Sequence, residues 1–155
     1  DILCLGATKC GAMAAEAVIL FDPEKAWEFE LRRKRAGHLF SKMRFVAAQM
    51  EAWLADDLWL RLAGHANAMA ARLAEGIAAA PGARVTNTVE ANMVFAEITR
   101  AQHARLQDAG ARYYPWPTDQ AAEGPDEAGF TIRLVCSHQT TAEEIDRFAG
   151  LLAQG

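Results

Sequence analysis

The spacing of apolar residues changes character along this chain. Two short apolar runs open it, Asp1–Gly6 (DILCLG) and Glu16–Phe21 (EAVILF), joined by a Gly/Ala-rich stretch over 7–15. Runs of this length, bounded by turn residues and rich in β-branched side chains, predict buried strands. Asp22-Pro23 then reads as an N-cap followed by proline in a first helical turn, with Glu24 and Glu28 suited to that end of the dipole. The helix it starts is expected to reach Arg35, and Gly37–Ser41 to form a loop. From Lys42 to Leu54, Met43, Val46, Ala47, Met50 and Leu54 recur at helical spacing. Asp56 or Asp57 is expected to cap a third helix, whose stripe of Leu58, Leu62, His65, Met69 and Leu73 ends before Pro81-Gly82.

Beyond Pro81 the period shortens. Arg84–Asn87 and Asn92–Ile98 read as strands, Ala101–Ala109 as a helix closed by Gly110, and Ala111–Tyr114 as another strand. A polar, proline-containing loop from Pro115 to Ala128 leads to a last strand, Phe130–Cys136. Thr140 or Thr141 with Glu143 or Glu144 caps a final helix ending near Leu152. The expected class is α+β, in three parts: a strand-loop-strand segment over 1–21, a helical connection over 22–80, and a small α+β domain over 81–155. The first two strands are expected to belong to a larger sheet. The start at Asp1, straight into a strand, suggests a piece of a longer chain.

Composition narrows the classes without choosing among them. With 155 residues, 52% hydrophobic and 23% charged, the chain can build a real core. A net charge of −4 gives no reason to bind nucleic acid or an acidic membrane. The longest apolar run is too short to span a bilayer, and no secretion signal opens the chain. Cys4, Cys10 and Cys136 lack paired spacing, and four scattered histidines do not form a metal pattern. Reduced thiols in the cytoplasm and no bound metal are the expectation.

Lys9 is the first candidate for chemistry. It follows an apolar strand and Thr8, and the small residues Cys10-Gly11-Ala12 come after it. A lysine held in a tight turn at a strand end can be desolvated, which lowers its pKa and makes the amine competent to form an imine. A solvated loop lysine is the commoner role for such a residue. Arg133 interrupts an otherwise apolar strand, where a guanidinium needs a partner or must point outward. Arg32-Arg33-Lys34-Arg35 would favour a helix C-terminus simply as a solvated basic face. His65 on its apolar stripe, His138 in a loop, and Trp27, Trp53 and Trp59 at core-like helical positions read as packing or loop residues.

The order of these segments resembles a known family. DILCLGATKCGAMAAEAVILFDP is similar to the Schiff-base segment of low-specificity threonine aldolases, and RRKRAGHLFSKMRF with DDLWLRLAGHANAMAARLA resembles the phenylserine-aldolase branch of that β-eliminating lyase family. The similarity resumes at Glu90–Phe95 and at Phe130–Thr141. It implies a pyridoxal-phosphate (PLP) enzyme of fold type I that cleaves β-hydroxy-α-amino acids to glycine and an aldehyde. Residues 1–21 would then be a remnant of the large PLP-binding domain. By the same resemblance, Lys9 holds the cofactor, Thr8 lies near its phosphate, and Arg133 binds the substrate carboxylate. Lys34 projects into the active site, and Arg44 approaches the cofactor of a neighbouring subunit in a dimer or tetramer. The loop Gly37–Ser41 is bulkier than the Gly-Gly-Gly loop of the family's other branch. The family's acidic, stacking and phosphate-loop residues precede the lysine, so this chain alone is expected to be inactive. The rival expectations are a PLP-dependent β-elimination or transamination, and a non-catalytic helical interaction domain docking through Arg32–Arg35.

Overall fold

The computed structural model describes residues 1–121 and 123–154. Two compact units divide it, Asp1–Leu62 and the chain from Ala63 onward. The first begins with a hairpin in which β1 (Ile2–Gly6) pairs antiparallel with β2 (Glu16–Leu20), in the register Ile2↔Leu20 to Gly6↔Glu16. Both strands lie where the apolar runs predict them, but they are not buried. Ile2 is 60% exposed and Leu3 46% exposed. These two residues alternate across the pleat, so both faces of the hairpin are open. Asp22 accepts the Glu24 amide through Oδ1 at 3.1 Å and starts a short 3-10 turn that runs into α1 (Ala26–Arg35). Trp27 points away from any core and is 70% exposed, contrary to the packing role its spacing suggests.

α2 (Met43–Leu54) keeps only part of the stripe read in the sequence against a core. Trp53 is its one buried residue, with Val46 and Met50 packed against the same small cluster, while Ala47 and Leu54 are exposed. Asp56 and Asp57 do not form an extended N-cap. Both adopt positive φ, 50° and 57°, and carry the chain through a left-handed kink. Aspartate tolerates that region better than most residues because its short side chain bonds locally. α3 (Leu58–Ala79) follows and buries Ala66, Ala70, Leu73 and Ile77. His65 is exposed rather than packed, although its Nε2 lies 2.7 Å from the Thr140 carbonyl oxygen.

The second unit is a four-stranded antiparallel sheet in the order β3-β4-β6-β5, with α4 (Arg100–Asp108), α5 (Ala142–Ala153) and the buried stripe of α3 against one face. In the central pair, β4 (Met93–Thr99) and β6 (Gly129–Val135) set Val94↔Leu134, Ala96↔Ile132 and Ile98↔Phe130 opposite one another. All six are in the core. The alternate residues, Phe95, Glu97, Thr131 and Arg133, belong to the other face of the pleat. Close approach of α3 and α5 depends on Gly76, where a Cβ would lie 2.7 Å from that of Ala149.

Two capping boxes hold the helix starts. Thr99 and Gln102 exchange side-chain-to-backbone bonds at α4, and Thr141 and Glu144 do so at α5. Gln102 is buried yet satisfied, because its Nε2 also donates to the Pro81 and Leu152 carbonyls at 2.8 and 2.9 Å. The strand predicted over Ala111–Tyr114 shrinks to β5 (Tyr114–Pro115). The Ala111 amide is committed to the Leu106 carbonyl at 2.9 Å, and Gly110 at φ 89° completes that helix end. The short β3 (Arg84–Val85) pairs with Glu97 and Ala96 at the opposite edge.

Candidate active site

The loop between β1 and β2 carries Lys9 and is closed by its own hydrogen bonds. The Ala7 amide donates to the Ala15 carbonyl at 2.9 Å, and the Cys10 and Ala12 amides both return to the Ala7 carbonyl, at 2.9 and 3.0 Å. Thr8 closes it a second time: Oγ1 accepts the Ala15 amide at 3.1 Å and donates to the Ala15 carbonyl at 3.3 Å. Gly11 makes the turn at φ 107°, where a side chain would be strained and a Cβ would sit 2.6 Å from Leu62 Cδ1.

Two residues of α2 pin this loop from outside. The Trp53 indole nitrogen donates to the Cys10 carbonyl at 2.7 Å, and Gln49 Oε1 accepts the amides of Met13 and Ala14 at 2.9 and 3.1 Å. Ala7 and Ala15 are buried against Trp53, which stands 5.9 Å from Trp59, ring centre to ring centre. The result is a rigid, small-residue platform. On it Lys9 is exposed, with no ion pair to its amine among the described residues. Neither Gln49 nor the Trp53 contact stood out in the sequence, because a helix-face glutamine carries no motif.

The basic cluster at the end of α1 divides by role. Arg32 pairs with Glu28 at 2.8 Å, and Arg33 Nε donates to the His38 carbonyl at 3.2 Å beyond the helix end. Lys34 and Arg35 are exposed and uncommitted among the described residues. Gly37, at φ 77°, turns the chain out of α1, and Arg44 comes at the start of α2 with its guanidinium carbon 4.7 Å from the Phe45 ring centre. Lys9 and Thr8 therefore share one loop, while Lys34 and Arg44 flank another.

Arg133 stands in the second unit, on the sheet face away from the helices. The cross-strand register sets it against Phe95 on one side and Tyr114 on the other. Its guanidinium carbon lies 5.4 Å from the Tyr114 ring centre and 5.0 Å from that of Trp116. Its Nε is buried and has no hydrogen-bond partner among the described residues. Such an unmade bond is costly inside a protein, and it marks a donor awaiting an acceptor. His138, in the turn after β6, likewise leaves Nδ1 buried and unpartnered among the described residues. Tyr114 and Trp116 were the residues that sequence reasoning passed over. The signal available was the aromatic cluster Tyr113-Tyr114-Pro115-Trp116, whose pairing with β6 becomes visible only in the sheet.

No protein-family model matches the chain. The low-specificity L-threonine aldolase of Pseudomonas aeruginosa is 39% identical over 149 residues, which cover 96% of this chain and 40% of that protein. The low-specificity L-threonine aldolase of a Pseudomonas species is 41% identical over a stretch of the same length and coverage. Among solved structures, the threonine aldolase of Leishmania major matches 98% of this chain and 42% of its own, with a TM-score of 0.84 at 28% identity. The chain thus spans about 40% of the length of the curated relatives it matches. Over that span it is similar, in sequence and in fold, to the low-specificity L-threonine aldolases.

Proposed function

We propose that this chain is the part of a PLP-dependent aldolase that carries the cofactor lysine and the substrate-carboxylate clamp. The reaction is cleavage of β-hydroxy-α-amino acids, of the threonine and phenylserine type, to glycine and an aldehyde. It belongs to a polypeptide that also supplies the rest of the relatives' length. The observation that carries the reading is the doubly closed, α2-pinned loop around Lys9 in a chain 39–41% identical to threonine aldolases.

Each named residue has a task its setting supports. Lys9 holds the cofactor through its ε-amine, on a loop stiff enough to return that amine to one place. Arg44, which has no ion pair among the described residues, offers its cation to the phosphate, and the Thr8 hydroxyl can exchange its long 3.3 Å donor contact for a phosphate oxygen. When bound, PLP supplies a ring that accepts the electrons released as the Cα–Cβ bond breaks. Arg133 forks onto the substrate α-carboxylate, which satisfies its open donor and fixes the orientation of the scissile bond. Lys34 adds a second cation for the substrate. Residues 1–21 are in this reading part of a larger PLP-binding domain, 22–80 its helical connection and 81–155 the small domain, and the 155-residue chain alone is inactive.

In the complete protein, reduction with borohydride in the presence of PLP is expected to add the cofactor's mass to the peptide containing Lys9. Lys9→Ala is expected to abolish threonine cleavage. A labelled peptide elsewhere, or an active Lys9→Ala protein, ends this reading. Lys34 and Arg44, flanking one loop with no ion pair among the described residues, support a homo-oligomer whose site is shared between subunits. The active protein should therefore sediment as a dimer or tetramer, and an active monomer would overturn the shared site. Cys4, Cys10 and Cys136 are all free thiols, which supports a reducing, cytoplasmic setting that cell fractionation would test.

A further inference from the structure

The surroundings of Arg133 contain more than a cation waiting for a carboxylate. A guanidinium on a half-exposed strand has many rotamers, and a clamp that wanders would spend binding energy on its own ordering. Two rings restrict it. Its central carbon lies over the faces of both Tyr114 and Trp116, within the roughly 6 Å at which a ring quadrupole attracts a cation.

The rings are themselves held. The Trp116 amide donates to the Thr131 carbonyl at 2.9 Å, on the same strand as Arg133. Gln120 adds two hydrogen bonds to that residue, with Nε2 donating to the Thr131 carbonyl at 2.7 Å and Oε1 accepting its amide at 2.8 Å. Phe95, cross-strand from Arg133, braces Trp116 with ring centres 5.8 Å apart at 56°. Aromatic faces stabilise the cation without accepting in-plane N–H bonds. The guanidinium is therefore oriented by the rings while its Nε has no hydrogen-bond partner among the described residues.

We infer that Tyr114 and Trp116 are positioning residues, which hold the Arg133 guanidinium ready for an amino-acid carboxylate. This rests on the reading of Arg133 as the carboxylate anchor. A purely packing role for Trp116 would tie it to stability alone. A positioning role ties it to substrate affinity through Arg133 and through no other group.

The test is a double-mutant cycle on the complete, PLP-loaded protein, reading glycine affinity by calorimetry together with melting temperature. Trp116→Ala is expected to weaken glycine binding about three- to tenfold, the scale of a partly desolvated cation–π contact. In an Arg133→Ala background the same substitution is expected to change nothing further. Trp116→Phe keeps a ring face and should restore most of the affinity, whereas Trp116→Leu, which keeps apolar bulk, should not. The Phe and Leu pair decides the matter if the alanine variant fails to fold. Arg133→Ala with unchanged glycine affinity would overturn the anchor reading itself, and the inference with it. An anchor that responds while Trp116→Ala is silent, or is equally harmful in both backgrounds, would overturn the positioning role alone.

Discussion

His103 lies where two aromatic rings meet, with Nδ1 2.8 Å from the Tyr113 hydroxyl and its ring 4.0 Å from that of Phe130. Burial holds its pKa below the ordinary histidine value, and the Arg100 charge adds to that effect. Burial pushes the Tyr113 hydroxyl up to about 12, so that group stays protonated and can donate to a neutral imidazole. The sign follows from linkage. The folded protein binds a proton at His103 less readily than the unfolded chain does, so this site's contribution is complete above the unfolded value of about 6.5 and is lost as pH falls through the lower, folded value. Melting temperature is therefore expected to fall as pH drops below about 7, with His103→Gln flattening that part of the profile. Parallel profiles for the two proteins would sink the assignment. At this scale the sequence was partly legible. A guanidinium in an apolar strand needs a partner or must point outward, and the sheet has Arg133 on the face away from the core. Tyr114 and Trp116 escaped because their relation to Arg133 is a register, and register is a property of two strands together.

Elements were most legible where a local rule decides them. Asp22, Thr141 with Glu144, and Gly110 end or start helices at their predicted places, because caps act within four residues of chain. Faces were less legible, since they depend on what lies opposite. On α3 the buried residues are Ala66, Ala70, Leu73 and Ile77, which keep Leu73 of the expected stripe, leave His65 exposed and lie beside Gly76. Small residues are weakly hydrophobic, yet at Gly76 the missing side chain leaves room for Ala149 of α5, where bulk would not fit. On α2 the polar Gln49 turned out to matter as much as its apolar neighbours. Its single carboxamide oxygen accepts two loop amides, and no periodicity announces such a role. The kink at Asp56 and Asp57 has the same origin. A pair of aspartates fits both a cap and a left-handed turn, and local sequence does not choose between them.

On the scale of the whole chain, the two units differ in what covers their strands. β4 and β6 lie inside a four-stranded sheet whose one face is closed by helices, and Val94, Ile98, Phe130 and Ile132 are fully buried there. Among the described residues β1 and β2 pair only with each other, and Ile2, Leu3, Val18 and Ile19 all remain exposed. Their sequence nevertheless has the composition of buried strands, so composition and surroundings disagree at this one element. A two-stranded hairpin is marginally stable in water, even with its loop tied down by Trp53 and Gln49. Local opening of β1 and β2 should therefore cost much less than opening the second sheet. In the 155-residue chain, amide hydrogen exchange within Ile2–Gly6 and Glu16–Leu20 is expected to run at least about a hundredfold faster than at Val94–Ile98 and Phe130–Leu134, a gap of roughly 3 kcal/mol in opening free energy. The complete protein should narrow that gap, because the proposed larger sheet would pair and cover the hairpin. Equal protection of the two sheets in the 155-residue chain would show that the hairpin is stable as it stands, and would remove the physical reason for assigning it to a larger one.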